Sequence, residues 1–172
     1  MPCPSIWIAG DQPPHGVPHH HPSGRTFETE EKIMITILAV DDNPDDLFFL
    51  KCAFGSSAGY RFMTAGDGIE AQERLRNIAR GKDLAADSVV IFSDLNMPRQ
   101  NGLEFLQSLK SEVRFRDLPV VMISSFDNQA EINKAFELGA VACMVKPPDP
   151  NATKGLLKTI TGMREHNAGA TA

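Results

Sequence analysis

Five side chains stand at places where their chemistry could combine. Asp41 and Asp42 follow the apolar run Ile35–Val40, Asp94 follows a run ending at Ser93, Ser124 closes Leu118–Ser124, and Lys146 follows Val141–Val145. Taken singly, an acidic residue after a strand caps a helix or solvates a loop, and a lone lysine is surface charge. Their joint placement at strand ends of one polarity carries more weight. Three carboxylates brought together repel one another unless a cation is present, and a hard, oxygen-rich site with open positions suits Mg²⁺, which keeps waters that a phosphate can replace. A hydroxyl and an ammonium beside them would complete a phosphate-handling edge.

Such an edge requires parallel strands, and the chain is patterned for them. From Ile33 onward short apolar runs alternate with helical periodicity, as in βα units. The predicted strands are Ile35–Val40, Tyr60–Ala65, Ser88–Ser93, Leu118–Ser124 and Val141–Val145. The first, third and fourth are almost continuously apolar, as strands covered on both faces must be. Asn43 is placed to cap a helix that has Pro44 at its first position and Asp45 and Asp46 in its first turn, where the helix dipole favours negative charge. Leu47, Leu50 and Phe54 mark the buried face of that helix. Ala71, Leu75 and Ile78 mark the second, Leu103, Leu106 and Leu109 the third, and Ile132, Ala135 and Phe136 the fourth, with Gly139 as its stop. A fifth begins near Asp149-Pro150 and buries Leu156, Ile160 and Met163. In an open parallel sheet, ligands bind beyond the carboxyl ends of the strands. The five singled-out residues meet there.

The 172 residues suit one domain with a full core. Residues 1–32 read as a disordered N-terminal extension rich in proline, glycine and histidine, residues 33–165 as the folded domain, and 166–172 as a flexible tail, with no output domain after it. The patterned sequence starts abruptly enough that Met34 is an alternative biological start. Hydrophobic residues at 42% and charged residues at 23% are ordinary for a globular protein, and no run approaches the length of a membrane span. Cys3, Cys52 and Cys143 are scattered, which fits a reducing cytoplasm. With a net charge of -5 and dispersed basic residues there is no footprint for direct nucleic-acid binding. Gly66-Asp67-Gly68-Ile69-Glu70-Ala71 matches a dinucleotide fingerprint in form, but it follows the second strand and sets two acids where a pyrophosphate would lie. The group His15, His19, His20 and His21, and the glycosylation-like Asn151-Ala152-Thr153, add nothing to the functional reading.

Four motifs together resemble the response-regulator receiver family: Ala39-Val40-Asp41-Asp42-Asn43, Ser93-Asp94-Leu95-Asn96-Met97-Pro98 through Asn101-Gly102-Leu103, Met122-Ile123-Ser124-Ser125, and Gly139-Ala140 through Val145-Lys146-Pro147. The resemblance runs from about Ile35 to Met163. It implies a doubly wound five-stranded parallel α/β fold of the (βα)5 flavodoxin-like type, with strand order 2-1-3-4-5. It also implies a stand-alone signalling module, not an enzyme in its own right, whose Asp94 takes a phosphoryl group from a histidine kinase in a Mg²⁺-dependent reaction. By the same resemblance Asp42 is a direct metal ligand, Asp41 a ligand through water, and Asp94 and the Asn96 backbone carbonyl further ligands. Ser124 would bond a phosphoryl oxygen, and Lys146 would pair first with Asp94 and then with the phosphoryl group. The implied partners are a sensor histidine kinase, phytochrome-type among them, or a phosphotransfer protein, and the implied state is a monomer or homodimer.

Two positions depart from the family pattern. The aromatic residue usual three positions before the lysine is Cys143, so the phosphorylation chemistry should survive while the output surface changes. Phe126, two residues after Ser124, could restrict water at an acyl phosphate. Two other functions compete. A phosphatase of the haloacid dehalogenase type also uses a strand-end Asp, but it needs a second acid two residues later, and Asn96 stands there. A receiver-fold adaptor acting without phosphorylation would not require all the charged positions to be retained, and here they are.

Overall fold

A computed structural model of the chain describes residues 35–54, 59–80, 89–125 and 129–168, with side chains described as far as residue 162. The 1–32 segment, Ser88, Phe126 and the last four residues lie outside the described residues. Strands β1 (Ile35–Val40), β2 (Tyr60–Ala65), β3 (Val89–Asp94), β4 (Val120–Ser124) and β5 (Ala142–Val145) alternate with helices α1 (Pro44–Phe54), α2 (Gly68–Arg80), α3 (Gly102–Ser111), α4 (Gln129–Glu137) and α5 (Pro150–Ala168). The strands form one sheet in the order β2-β1-β3-β4-β5, and every neighbouring pair is parallel. The expected fold class and strand order are those observed.

Side chains alternate across this sheet with period two, so each central strand feeds two cores. Leu38, Val40, Ile91, Val120 and Met122 pack with Ala71, Leu75, Phe105, Leu106 and Leu109 on the face covered by α2, α3 and α4. Ile37, Ala39, Val90, Phe92, Val121 and Ile123 pack with Leu50, Phe54, Leu157 and Ile160 on the face covered by α1 and α5. Phe54 closes that second core, its ring set against those of Tyr60, Phe62 and Phe92. Every residue of β3 and β4 is buried, whereas the edge strands β2 and β5 are only partly covered. Two-sided burial is why the central strands are continuously apolar.

Helix ends follow local chemistry. The Asn43 side chain accepts the Asp45 N–H at 2.9 Å, as a cap should. Asn101 and Glu104 form a reciprocal capping box at the start of α3. Gly139 has a φ of 98°, and the Ala140 N–H reaches back to the Ala135 carbonyl while the Gly139 N–H reaches that of Phe136, so α4 stops in a left-handed turn.

Several expectations shift. Phe136, expected on the buried face of α4, is 48% exposed, because Ala135 and half-buried Ile132 occupy the inward face of this short helix. Strand β4 starts at Val120 and not Leu118, since Pro119 has no N–H to give and the Leu118 N–H is spent in a turn to Phe115. Helix α5 runs from Pro150 to Ala168. Its most buried leucine is Leu157 rather than Leu156.

The turn after β3 is held by close backbone approach. The Gly102 N–H donates to the Leu95 carbonyl at 2.9 Å, and a Cβ at residue 102 would overlap the Asp94 carbonyl oxygen and lie 2.8 Å from Leu95 Cα. Backbone, unlike a side-chain tip, cannot yield cheaply. Gly102→Ala is therefore expected to destabilise the domain by about 1–3 kcal/mol despite the better helix propensity of alanine, seen as a lower urea midpoint at unchanged slope.

Candidate functional site

Parallel register brings the strand ends level. Val40 pairs with Ser93, Asp94 with Ile123, and Ser124 with Val145, so the residues that leave β1, β3, β4 and β5 emerge along one edge. The Asp41 N–H continues the β1 ladder to the Ala65 carbonyl and the Lys146 N–H continues that of β5 to Ser124, which fixes both backbones at the rim. A cleft of about 600 Å³ opens there, its lining including Asp41, Asp42, Asp46, Asp94, Asn96 and Lys146, together with Ser125 and Glu131.

Asp41 and Asp94 are nearly inaccessible, at 6% and 5% exposure, while Asp42 faces solvent. Each of the three offers an oxygen, and these oxygens lie within 4.8 Å of one another. Asp41 has both oxygens engaged: Oδ1 accepts the Asn43 N–H at 2.9 Å and Oδ2 accepts from Lys146 at 2.5 Å. Burial holds the Asp94 carboxyl above its usual range and the nearby Asp41 charge adds to that, while Lys146 and the Asn96 N–H work against it. Burial would by itself lower the Lys146 pKa, but hydrogen bonds to Asp41 and Asp46 and the charge of Asp94 outweigh it, and the ammonium is held above its usual value.

The donor set fits a hard divalent cation. Asp94 Oδ1 is buried without a directed hydrogen bond, Asp42 is exposed with none among the described residues, and Asn96 lines the same cleft. With Asp41 already bonded through both oxygens, ligation through water suits it better than direct contact. The site therefore suits Mg²⁺, which typically takes one or two carboxylates and keeps several waters.

Asp41, Asp42, Asp94, Asn96 and Lys146 come together as expected. Ser124 sits at the β4 end but is buried, and its neighbour Ser125 lines the cleft instead. Lys146 pairs with Asp94 at 3.2 Å as expected, but it is shared: its nitrogen also lies 2.5 Å from Asp41 and 2.9 Å from Asp46. Asp46 is the site residue that sequence reasoning missed. Its fit to the helix dipole hides this role, and the signal that points to it is its place one turn after Asp42 at the start of α1.

Cys143 pairs in register with Met122 and packs half-buried against the α2–α4 core, and burial pushes its thiol up, as for a small packed hydrophobe. The fingerprint-like loop before α2 is filled by its own acids. Asp67 accepts the Glu70 N–H at 2.9 Å and contacts Arg99, and Glu70 accepts the Gly66 N–H at 2.7 Å, so carboxylates of this chain already occupy two donors of the loop and set negative charge where a pyrophosphate would lie.

A strand-end acidic cleft on a 2-1-3-4-5 sheet defines a receiver-type module, and residues 37–158 match the response regulator receiver domain. The chain belongs to that family. It is 32% identical over 130 residues to the chemotaxis protein CheY1 of Helicobacter pylori, covering 75% of this chain and 98% of that one. Among solved structures it is similar to the bacteriophytochrome response regulator AtBRR, at 32% identity and a TM-score of 0.62 over 74% of this chain and 92% of that one. It is also similar to the chemotaxis response regulator CheY4 of Vibrio cholerae, at 28% identity and a TM-score of 0.61 over 74% and 98%. A further likeness is to the phosphorylated cyanobacterial phytochrome response regulator RcpA, at 28% identity and a TM-score of 0.56 over 76% and 91%.

The raised Asp94 pKa has a defined sign. Folding disfavours the charged carboxylate, so the stability available when it is protonated is lost as pH rises from its unfolded range through its folded value. In EDTA, Asp94→Asn is thus expected to melt above wild type near pH 7.5, with the gap closing as pH falls and the wild-type carboxyl takes up its proton. Added Mg²⁺ should narrow the gap at neutral pH. Thermal melts across pH with and without Mg²⁺ measure both effects.

Proposed function

We propose that this receiver domain accepts a phosphoryl group on Asp94 from the phosphohistidine of a sensor kinase or a phosphotransfer protein, and signals by protein contact or by passing the group onward. The observation that carries the reading is the buried Asp94 oxygen left without a directed hydrogen bond beside a lysine and two further aspartates. A nucleophile must keep an oxygen available, and this one does. Asp42, Asp94 and the Asn96 carbonyl would hold Mg²⁺, with Asp41 acting through water. Bound there, the ion supplies positive charge to the oxygens of the incoming phosphoryl group.

In the step itself an Asp94 oxygen forms a bond to phosphorus as the bond between phosphorus and the donor imidazole nitrogen breaks, and the electron pair leaves with that nitrogen. Lys146 balances charge on the equatorial oxygens, and the β4-end hydroxyl of Ser124 receives one of them. The work is positioning and electrostatics rather than new covalent chemistry. Ser124 must turn towards the cleft from its buried position, and that movement starts the switch. The bacteriophytochrome and cyanobacterial phytochrome response regulators it resembles support a phytochrome-type kinase as donor, and a cytoplasmic setting follows from such a partner. No described helix is long and apolar enough to cross a membrane.

Incubation with Mg²⁺ and acetyl phosphate is expected to add one phosphoryl mass, labile to hydroxylamine, to wild type and not to Asp94→Asn. A metal-independent adduct, or one that persists in Asp94→Asn, would sink the reading. Cys143→Tyr is expected to label at a rate within about threefold of wild type, a barrier change of well under 1 kcal/mol. A larger loss would mean that Cys143 serves the chemistry and not only the output face.

A further inference from the structure

Lys146 has three protons to direct, and their destinations are unequal. Two hydrogen bonds run to Asp41 Oδ2 at 2.5 Å and Asp46 Oδ2 at 2.9 Å, whereas Asp94 Oδ1, 3.2 Å away, has no directed hydrogen bond. The ammonium is drawn towards α1, and its contact with the phosphoacceptor is the longest of its three ion pairs. We propose that Asp46 is a positioning residue that holds Lys146 off Asp94, so that Asp94 Oδ1 stays open to the cation and to phosphorus. This deepens the phosphoacceptor reading and rests on it.

Asp46 suits that task in a way Asp41 does not. Asp41 belongs to the three-carboxylate cluster and already accepts the Asn43 N–H, so a cation drawing on its electrons weakens its hold on the ammonium. Asp46 lies outside that cluster, on the first turn of a capped helix, and its described side-chain partner is Lys146. Its grip does not depend on the metal. Without it, one ammonium proton loses its acceptor, and the nearest acceptor in need of a donor is Asp94 Oδ1. A small rotation of the lysine would convert that contact into a charge-assisted hydrogen bond. The nucleophile would then be masked and the cation would have to displace a lysine to bind.

The test is a double-mutant cycle on the full-length protein, with Mg²⁺ affinity measured by calorimetry in wild type, Asp46→Asn, Lys146→Met and the double variant. Asp46→Asn is expected to weaken Mg²⁺ about tenfold when Lys146 is present and by no more than about twofold when it is methionine, since a residue acting through another shows its effect only with that partner in place. Equal weakening in both backgrounds would reduce Asp46 to a diffuse negative charge and overturn the proposal. A metal-free arm follows the Lys146 ammonium by nitrogen NMR in EDTA. Asp94→Asn should move that resonance far more in the Asp46→Asn background than in wild type, and equal movement would also overturn the proposal. If wild type binds no Mg²⁺, the phosphoacceptor reading fails, while the NMR comparison still decides whether Asp46 governs where Lys146 points.

Discussion

Repulsion among aspartates at one edge of the sheet is the constraint on which the site depends. Two unit charges about 4 Å apart repel by roughly 4 kcal/mol at the effective dielectric near a protein surface, a large share of the roughly 5–15 kcal/mol that holds a domain folded. Asp41 and Asp94 are both buried, and Asp42 and Asp46 stand beside them with the Lys146 ammonium in their midst. The domain carries this unfavourable density because it leaves a strong, localised demand for positive charge. A hard divalent cation is the kind of group that would meet that demand.

Such a cluster can only be maintained on a frame that does not give way. β1, β3 and β4, which lead into Asp41, Asp94 and Ser124, are the most deeply buried strands, packed on both faces by alternating side chains. Asp94 is further pinned where Gly102 lets the α3 start press against its carbonyl. β5, which delivers Lys146, is by contrast an edge strand with partial cover. The carboxylates thus sit on the rigid part of the sheet and the counter-charge on its softer margin. A change at the acidic centre can move the lysine end of the site more cheaply than the Asp94 end.

The parallel α/β class, the five βα units and the strand-end placement of Asp41, Asp42, Asp94 and Lys146 were legible in the sequence, because they depend on hydrophobic period and on chain order. Helix stops at glycine and caps at asparagine were legible for the same local reason. Partners of side chains were not. Asp46 fits the helix-dipole rule so well that local chemistry gave no cause to look further, yet it reaches a lysine 100 residues away. Phe136 fits an apolar stripe, yet α4 is too short to bury it beside Ala135.

The sequence by itself therefore determined which residues arrive at the functional edge, since strand polarity and alternation follow from local pattern. Only the tertiary structure decided how they share charge there. It set Lys146 between Asp41 and Asp46, left an oxygen of Asp94 without a directed hydrogen bond, and put Ser125 rather than Ser124 in the wall of the cleft. The physical reason is that an ion pair is settled by distances of a few tenths of an ångström between groups far apart in the chain, and no local preference encodes such distances.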